Sequence, residues 1–234
     1  MNSVRTLAFL ALLVSFLMGA ASADHDTDHE YDFRIDDETG DEGFVDPESS
    51  IELKVEIENY LDAEHEFELF VTNSGELDDY GLNMWWSSDG QDELTSQSTS
   101  LPSIDVSKNS VQAGITITIQ ATENAVYGSY GVNLKCRDKD NSDPEGTKQT
   151  LELTVNVNEK SAVSLNIAES GSTEGSIDID GETTYQVEIN NDGNKEDTFS
   201  LSISSNSWDA SFEDDSITIA AFSNQIVTLT VESE

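Results

Sequence analysis

Hydrophobic and polar residues alternate with a period of two over most of the chain. The stretch from Ile51 to Glu58 places apolar side chains at every second position and charged side chains between them. Such alternation indicates a β-strand with one buried and one solvent-facing side. The same pattern recurs at residues 67–71, 115–119, 130–136, 151–157, 163–167, 185–189, 199–203 and 227–231. No convincing amphipathic helix follows the N-terminal segment, so the pattern predicts an all-β protein.

Turn-forming residues separate these predicted strands. The run Asn191-Asp192-Gly193-Asn194 and the polar segment 138–146 are examples, and such residues tolerate the backbone conformations that turns require. Short, regularly spaced, half-buried strands are typical of antiparallel sandwiches of about 100 residues. The predicted fold is therefore two tandem immunoglobulin-like antiparallel β-sandwiches. A polar stretch at residues 87–103 is predicted to form an exposed loop.

An internal repeat supports this division. Shifting the sequence by 132 residues aligns residues 31–71 with residues 163–203 without a gap, and it places Asn59 on Asn191. Chance alternation would align apolar positions but not turn residues, so the chain contains two copies of one domain.

The second copy is shorter than this internal template. Residues 115–119 correspond to residues 227–231, yet only the first copy continues into two further predicted strands, at 130–136 and 151–157. We therefore expect the second sandwich to lack its closing strands and to expose core side chains such as Phe199. Three explanations stay open: a piece of a longer surface protein, a naturally shorter domain, or a strand supplied by a partner.

The N-terminus has the features of an export signal. One cation precedes a short apolar run, and the small residues Ala21-Ser22-Ala23 follow it. Because the run is short for a membrane span of about 20 residues, a cleaved signal peptide is favoured over a retained anchor. The mature chain is then expected to be secreted or at the cell surface, without a membrane span. The predicted organisation is a signal peptide at 1–23, an acidic leader at 24–30, a first sandwich at 31–158 and an incomplete second sandwich at 159–234.

The charge balance excludes several classes of partner. The chain contains 48 Asp and Glu residues against 10 Lys and Arg residues, which gives a net charge of -38. Binding to nucleic acid or to an anionic membrane surface requires the basic patches that this composition does not provide. A hydrophobic fraction of 36% nevertheless predicts folded domains rather than disorder.

The second copy carries the residues of a family resemblance. It contains Val187-x-Ile189-x-Asn191-x-Gly193-Asn194, followed by Asp197-Thr198-Phe199 and Trp208. This pattern resembles the cell-adhesion-related domains (CARDB) of bacterial and archaeal proteins and the related sandwich that accompanies some α-galactosidases. The resemblance implies non-catalytic modules of large surface and secreted proteins. The first copy departs from it, with Tyr60-Leu61 at the family's Asn-Gly turn.

Oxygen ligands cluster in one predicted loop between strands. Asp138, Asp140, Asp143 and Glu145 lie within eight residues of sequence, and calcium prefers several carboxylate and carbonyl oxygens. The segment departs from an EF-hand loop because it has no Gly at the sixth position. Calcium is therefore the one cofactor that the sequence suggests, and a solvated acidic loop is the alternative.

Two aromatic residues suggest a binding surface. Alternation in the segment 82–86 turns Trp86 inward and Trp85 outward, where Trp85 and Tyr80 could stack on a sugar ring. Packing at a sheet edge is the alternative for Trp85, and Trp208 is expected to be a core residue. The single Cys136 lies on the inward side of its predicted strand, so a buried thiol is expected.

No arrangement of Ser, Cys or His residues indicates a hydrolytic site, so no catalytic residue is assigned. The sequence favours an exported, non-catalytic adhesion or spacer module at a microbial cell surface, with a surface protein or a polysaccharide as partner. The first alternative is an accessory glycan-binding module of a secreted polysaccharide-degrading system. A secreted hydrolase with an unrecognised site is the second.

Overall fold

A computed structural model describes residues 30–36, 40–88, 103–141, 148–168, 174–204 and 209–233 of the chain. The predicted signal peptide, the leader up to residue 29, Asp143, Glu145 and Trp208 lie outside these ranges. Among the described residues, no helix has the length and apolarity that are needed to cross a membrane.

Fifteen strands and one short helix make up the described parts of the chain. The strands are β1 Tyr31–Ile35, β2 Glu42–Val45, β3 Ser50–Asn59, β4 His65–Val71, β5 Leu82–Ser88, β6 Ile104–Val106, β7 Ser110–Ala121, β8 Gly128–Asp138, β9 Gln149–Val157, β10 Val163–Ile167, β11 Glu182–Asn191, β12 Asp197–Ser200, β13 Asp209–Phe212, β14 Ser216–Ile219 and β15 Ser223–Glu232. The helix, α1, spans Ser74–Asp79.

Strands β1 to β9 form a complete sandwich. One sheet has the order β1-β3-β7-β5 and the other has the order β2-β9-β8-β4-β6. All of these pairs are antiparallel except the parallel pair of β2 with β9. The inward positions of the alternating segments from both sheets form one buried core, and each fully buried aliphatic side chain contributes about 1.5–3 kcal/mol. The β-sandwich prediction is confirmed.

Helix α1 departs from the prediction that no helix follows the N-terminal segment. It has six residues and buries one apolar side chain, Leu77, so it is too short to leave a helical period in the sequence. It is followed by Gly81, whose φ is +77°. A Cβ at Gly81 would lie 2.9 Å from the Cα of Ala125, so both the backbone conformation and the close packing require glycine.

Strands β10 to β15 repeat part of this architecture. They form a four-stranded sheet of order β10-β11-β15-β13 and a separate pair, β12-β14. Tyr31 pairs with Asn59 in the first copy, and Val163 pairs with Asn191 in the second. The alignment of the sequence repeat is therefore also an alignment of strand register.

The turn before β3 recurs before β11 with the same backbone. Glu48 has a φ of 65° and Asp180, 132 positions later in the sequence, has a φ of 57°. Each lies in a turn closed by one backbone hydrogen bond, which runs from Ser49 N to Asp46 O at 3.1 Å and from Gly181 N to Asp178 O at 3.0 Å. Non-glycine residues rarely adopt the left-handed region. Its occurrence at equivalent positions therefore indicates that the two copies share this turn.

Strand β12 is shorter than the alternating pattern predicts. Residues 199–203 alternate as a strand would, yet β12 ends at Ser200. Its counterpart β4 continues to Val71 because it pairs with β8, including the pairs Leu69 with Cys136 and Val71 with Leu134. Within the described ranges, β12 pairs only with β14. Residues 201–203 therefore have no partner strand equivalent to β8 and do not extend β12.

Candidate functional site

The connection between the two sandwiches centres on the buried side chain of Asn194. Its Nδ2 donates hydrogen bonds to the carbonyl oxygens of Ala125, at 3.1 Å, and Asn158, at 2.9 Å. Its Oδ1 accepts a hydrogen bond from the backbone of Lys160 at 2.8 Å, and its own carbonyl accepts one from Tyr127 N at 2.9 Å. One side chain thus joins the second sandwich to the linker and to the β7–β8 connection of the first.

The turn that carries Asn194 fits closely against the linker. A Cβ at Gly193 would lie 2.7 Å from the carbonyl oxygen of Lys160, so any larger residue would push the turn away. In the first copy the corresponding residue is Leu61, whose N–H bonds to the Oδ1 of Asn59 just as Gly193 N–H bonds to the Oδ1 of Asn191. The turn itself therefore does not require glycine. Contact with the linker does.

A charged pair reinforces the same junction. The Nζ of Lys195 lies 2.9 Å from a carboxylate oxygen of Glu159 and 4.8 Å from the centre of the Tyr127 ring. The hydrogen bond from Lys195, helped by one from Ser161, lowers the pKa of Glu159, and the same pair raises the pKa of Lys195. Both groups are exposed, so the pair adds orientation more than stability.

The second sandwich has an open apolar face. Leu165 is 66% exposed, although its counterpart Phe33 is 5% exposed. Val163 is likewise 54% exposed, and its counterpart Tyr31 is 2% exposed. In the first sandwich this face is covered by β8 and β9, and the described part of the second copy contains no equivalent of these strands. The expectation of exposed apolar side chains is confirmed for Val163 and Leu165 on β10, whereas Phe199, the example that the sequence suggested, is half-buried.

The predicted calcium ligands are only partly described. Asp138 and Asp140 lie close together, and a residue that the pattern did not indicate, His65, joins them. Their ligand atoms lie within 4.8 Å of one another. The pairing of β4 with β8 brings His65 to this cluster. Because these strands are far apart in sequence, no short sequence motif indicates that His65 belongs to it. Asp143 and Glu145 lie outside the described residues.

Hydrogen bonds within the protein already engage this cluster. The buried Asp138 bonds through Oδ2 to His65 Nδ1 at 2.7 Å and through Oδ1 to Asp140 N at 2.9 Å. Asp140 Oδ2 accepts a hydrogen bond from Glu66 N at 2.9 Å. Both carboxylates therefore tie the end of β8 to the start of β4, and a buried carboxylate requires such partners.

The two aromatic candidates lie in different settings. Tyr80 directly follows α1 and is 39% exposed. Its ring packs on Tyr130 of β8 with the centroids 4.7 Å apart. Trp85 is half-buried on β5, opposite Thr118 of β7, while Trp86 is buried in the core. The inward orientation of Trp86 is confirmed, and Trp85 offers less free surface than its outward position suggests.

Cys136 is buried, as predicted. Its backbone carbonyl accepts a hydrogen bond from the Tyr31 hydroxyl at 2.9 Å. Burial raises the pKa of the thiol and of the Tyr31 hydroxyl, so the thiol is kept in its unreactive protonated form.

Several outward acids of the first sandwich are paired with cations. Arg34 contacts Asp32 on its own strand and Glu56 and Glu58 on β3. A second group joins Arg137 to Glu68 at 2.6 Å and Lys139 to Glu66 at 2.7 Å. The hydrogen bond from Lys139 lowers the pKa of Glu66. Repulsion between outward carboxylates is therefore offset locally on these strands.

Comparisons with known proteins show distant likeness in fold alone. No family model matches the chain, and no curated protein matches it either. A PapD-like domain of human CEP192 is similar at 14% identity and a TM-score of 0.33, over 55% of this chain and 83% of that one. A family 123 glycoside hydrolase from Clostridium perfringens is similar at 11% identity and a TM-score of 0.36, over 55% of this chain and 27% of that one. A protein of unknown function from Porphyromonas gingivalis W83 is similar at 11% identity and a TM-score of 0.30, over 87% and 83% of the respective chains.

Proposed function

We propose that this protein is an exported, non-catalytic spacer or adhesion module at a microbial cell surface. It holds two immunoglobulin-like sandwiches in a defined relation and presents them to a surface protein or a polysaccharide. The observation that carries the proposal is the Asn194 junction, in which a buried side chain bonds to the linker and to the β7–β8 connection of the first sandwich. A flexible tether between independent domains would not need such contacts.

The charge of the chain supports an extracellular setting. A net charge of -38 keeps a secreted protein soluble and prevents it from binding anionic surfaces without specificity. Electrostatics then favours a partner whose surface is cationic or uncharged. A thick polyanionic cell wall is the least suitable partner on this argument.

The test is a binding measurement with the mature chain, residues 24–234. The protein is labelled at its N-terminal amine and mixed with cell envelopes of the producing organism, with insoluble polysaccharides, and with chromogenic ester and glycoside substrates. The proposal predicts saturable binding to envelopes and no turnover. Turnover that survives purification to homogeneity would contradict it.

Variants separate adhesion from glycan binding. Trp85→Ala and Tyr80→Ala remove the two aromatic candidates, and Phe44→Ala is a matched control because Phe44 is an exposed aromatic residue on β2 rather than on the β7–β8 connection. Binding to polysaccharide that is lost in the first two variants and kept in the control would establish the glycan-binding alternative. Binding to envelopes that is kept in all three supports the spacer or adhesion module.

A further inference from the structure

The first sandwich shows what covers the face that is open in the second. Strands β8 and β9 lie over β1, and the Tyr31 hydroxyl reaches the carbonyl oxygen of Cys136. The side chain of Gln149 accepts a hydrogen bond from Phe33 N at 3.0 Å and donates one to the Tyr31 carbonyl. The closing hairpin thus contacts β1 through side chains and pairs with β4 through a backbone ladder.

The second sandwich keeps both surfaces that would receive such a hairpin. Its β10 exposes Val163 and Leu165, the counterparts of Tyr31 and Phe33. In the other sheet, Leu201 follows β12 at the position that corresponds to Leu69, which pairs with β8 in the first copy. A sheet edge next to an apolar face is a template for strand addition.

The hairpin of the first copy also indicates the chemistry of the occupant. Its inward residues are apolar and buried, as Val132 and Leu134 illustrate. Residues 128–157 also contain five acidic residues and four of the ten cationic residues of the whole chain, Lys135, Arg137, Lys139 and Lys148. An occupant for the second copy therefore needs an apolar inner side, and a cationic outer side would favour its approach to this acidic chain.

We propose that the open face of the second sandwich is the docking site for a two-stranded β-hairpin of a partner protein. The first strand of the hairpin adds to β12 beyond Ser200, and the second lies over Leu165. The proposal rests on the assignment of the protein as a surface module and names the kind of partner that it holds. A second copy of this chain is a poorer occupant, because its charge of -38 repels an identical molecule and its own hairpin is buried in its first sandwich.

The experiment uses a synthetic peptide with the sequence of residues 128–157, with Cys136→Ser, as the probe for a hairpin of this type. The full mature chain is titrated with it by calorimetry. Amide hydrogen exchange is followed at Ser200 and Ser202, because the Leu201 N–H between them already donates to Asp215 O at 2.8 Å and successive amides of a strand point in opposite directions. We expect 1:1 binding and new protection at these amides. Leu165→Glu should weaken binding by about tenfold or more, because it places a charge in the interface. Ile179→Glu is the matched control, since Ile179 is exposed in the turn before β11.

A fusion protein provides a second test for the case in which the isolated peptide does not fold. Residues 122–157 are fused after Glu234, so that the hairpin follows β15 as the original follows β7. Protection at Ser200 and Ser202 in the fusion, lost with Leu165→Glu, supports the proposal. Failure of both the peptide and the fusion to protect these amides would overturn it.

Two further results would show that the open face is covered by something other than a partner protein. A dimer in sedimentation that Leu165→Glu converts to a monomer would assign the face to a second copy. Native protein in which other residues of the same chain already protect the amides of Ser200 and Ser202 would assign the face to the chain itself. Binding to envelopes is measured in parallel: envelope binding without hairpin binding overturns only this inference, and hairpin binding without envelope binding overturns only the proposed function.

Discussion

Asn59 and Asn191 occupy the same place in the two sandwiches and make the same three hydrogen bonds. Asn59 Nδ2 donates to the carbonyl oxygens of Ala63 and Val106, and its Oδ1 accepts from Leu61 N. Asn191 makes the corresponding bonds to Lys195, Ile219 and Gly193. A buried amide therefore ties the β3–β4 turn to β6 and the β11–β12 turn to β14, which are the strands that pair with β4 and β12.

Loss of this amide should destabilise the sandwich that contains it. Asn59→Ala leaves two carbonyl oxygens without their donor, which costs about 1–3 kcal/mol of unfolding free energy. Asn59→Asp keeps the volume and the acceptor but loses the donor, so we expect it to be at least as destabilising. Urea titration of both variants measures the effect, and hydrogen exchange shows whether it stays within the first sandwich. If Asn59→Asp leaves the free energy of unfolding unchanged, the shape of the side chain explains the residue and its hydrogen bonds do not.

The sequence predicts most of this fold because period-two alternation survives wherever one face of a strand is buried. The matched pair Asn59 and Asn191 was visible in the sequence as a repeat, although its hydrogen bonds were not. The junction was not predictable, since Asn194 corresponds to the exposed Asp62 and contacts between domains leave no periodic pattern. His65 and Asp138 meet through a strand pairing across 73 residues of sequence, which no local motif records.

Salt should stabilise the whole chain. Lys and Arg offset acids at a few places such as Arg34, yet 48 carboxylates face 10 cations overall. Screening shortens the range of charge repulsion from about 30 Å at 0.01 M to about 3 Å at 1 M salt. We predict that Tm rises clearly between these NaCl concentrations. A flat Tm would show that the surviving repulsion is too weak to matter.

Calcium is tested separately from ionic strength. Because Asp138 and Asp140 already accept hydrogen bonds from the protein, we expect millimolar CaCl₂ to raise Tm no more than NaCl of equal ionic strength. Asp140→Asn should then respond to both salts like the parent protein. An additional rise in CaCl₂ that Asp140→Asn abolishes would instead establish the calcium site that the sequence suggests.

The pair of Lys195 with Glu159 predicts a pH dependence. The pKa of Glu159 is lowered in the folded protein, so the pair stabilises fully above the ordinary Glu pKa of about 4.3 and loses its effect as pH falls through the lowered value. Lys195→Gln should therefore lower Tm slightly at pH 7, and the difference from the parent should vanish well below pH 4. Lys160→Gln is the control, because its contact with Glu48 is longer, at 3.4 Å. A difference that persists in acid would assign the effect of Lys195 to its packing on Tyr127.

The most direct test of the account measures whether the junction holds the two sandwiches in one relation. Nitroxide labels at Glu52→Cys and Thr184→Cys, which are equivalent exposed positions on β3 and β11, give the distance distribution by double electron–electron resonance. Cys136 is buried and should not react with the label. The account predicts one narrow distance that broadens in Asn194→Ala and stays narrow in Asp62→Ala, its counterpart in the first copy. A broad distribution in the parent protein would contradict the assignment of the chain as a spacer with a defined junction.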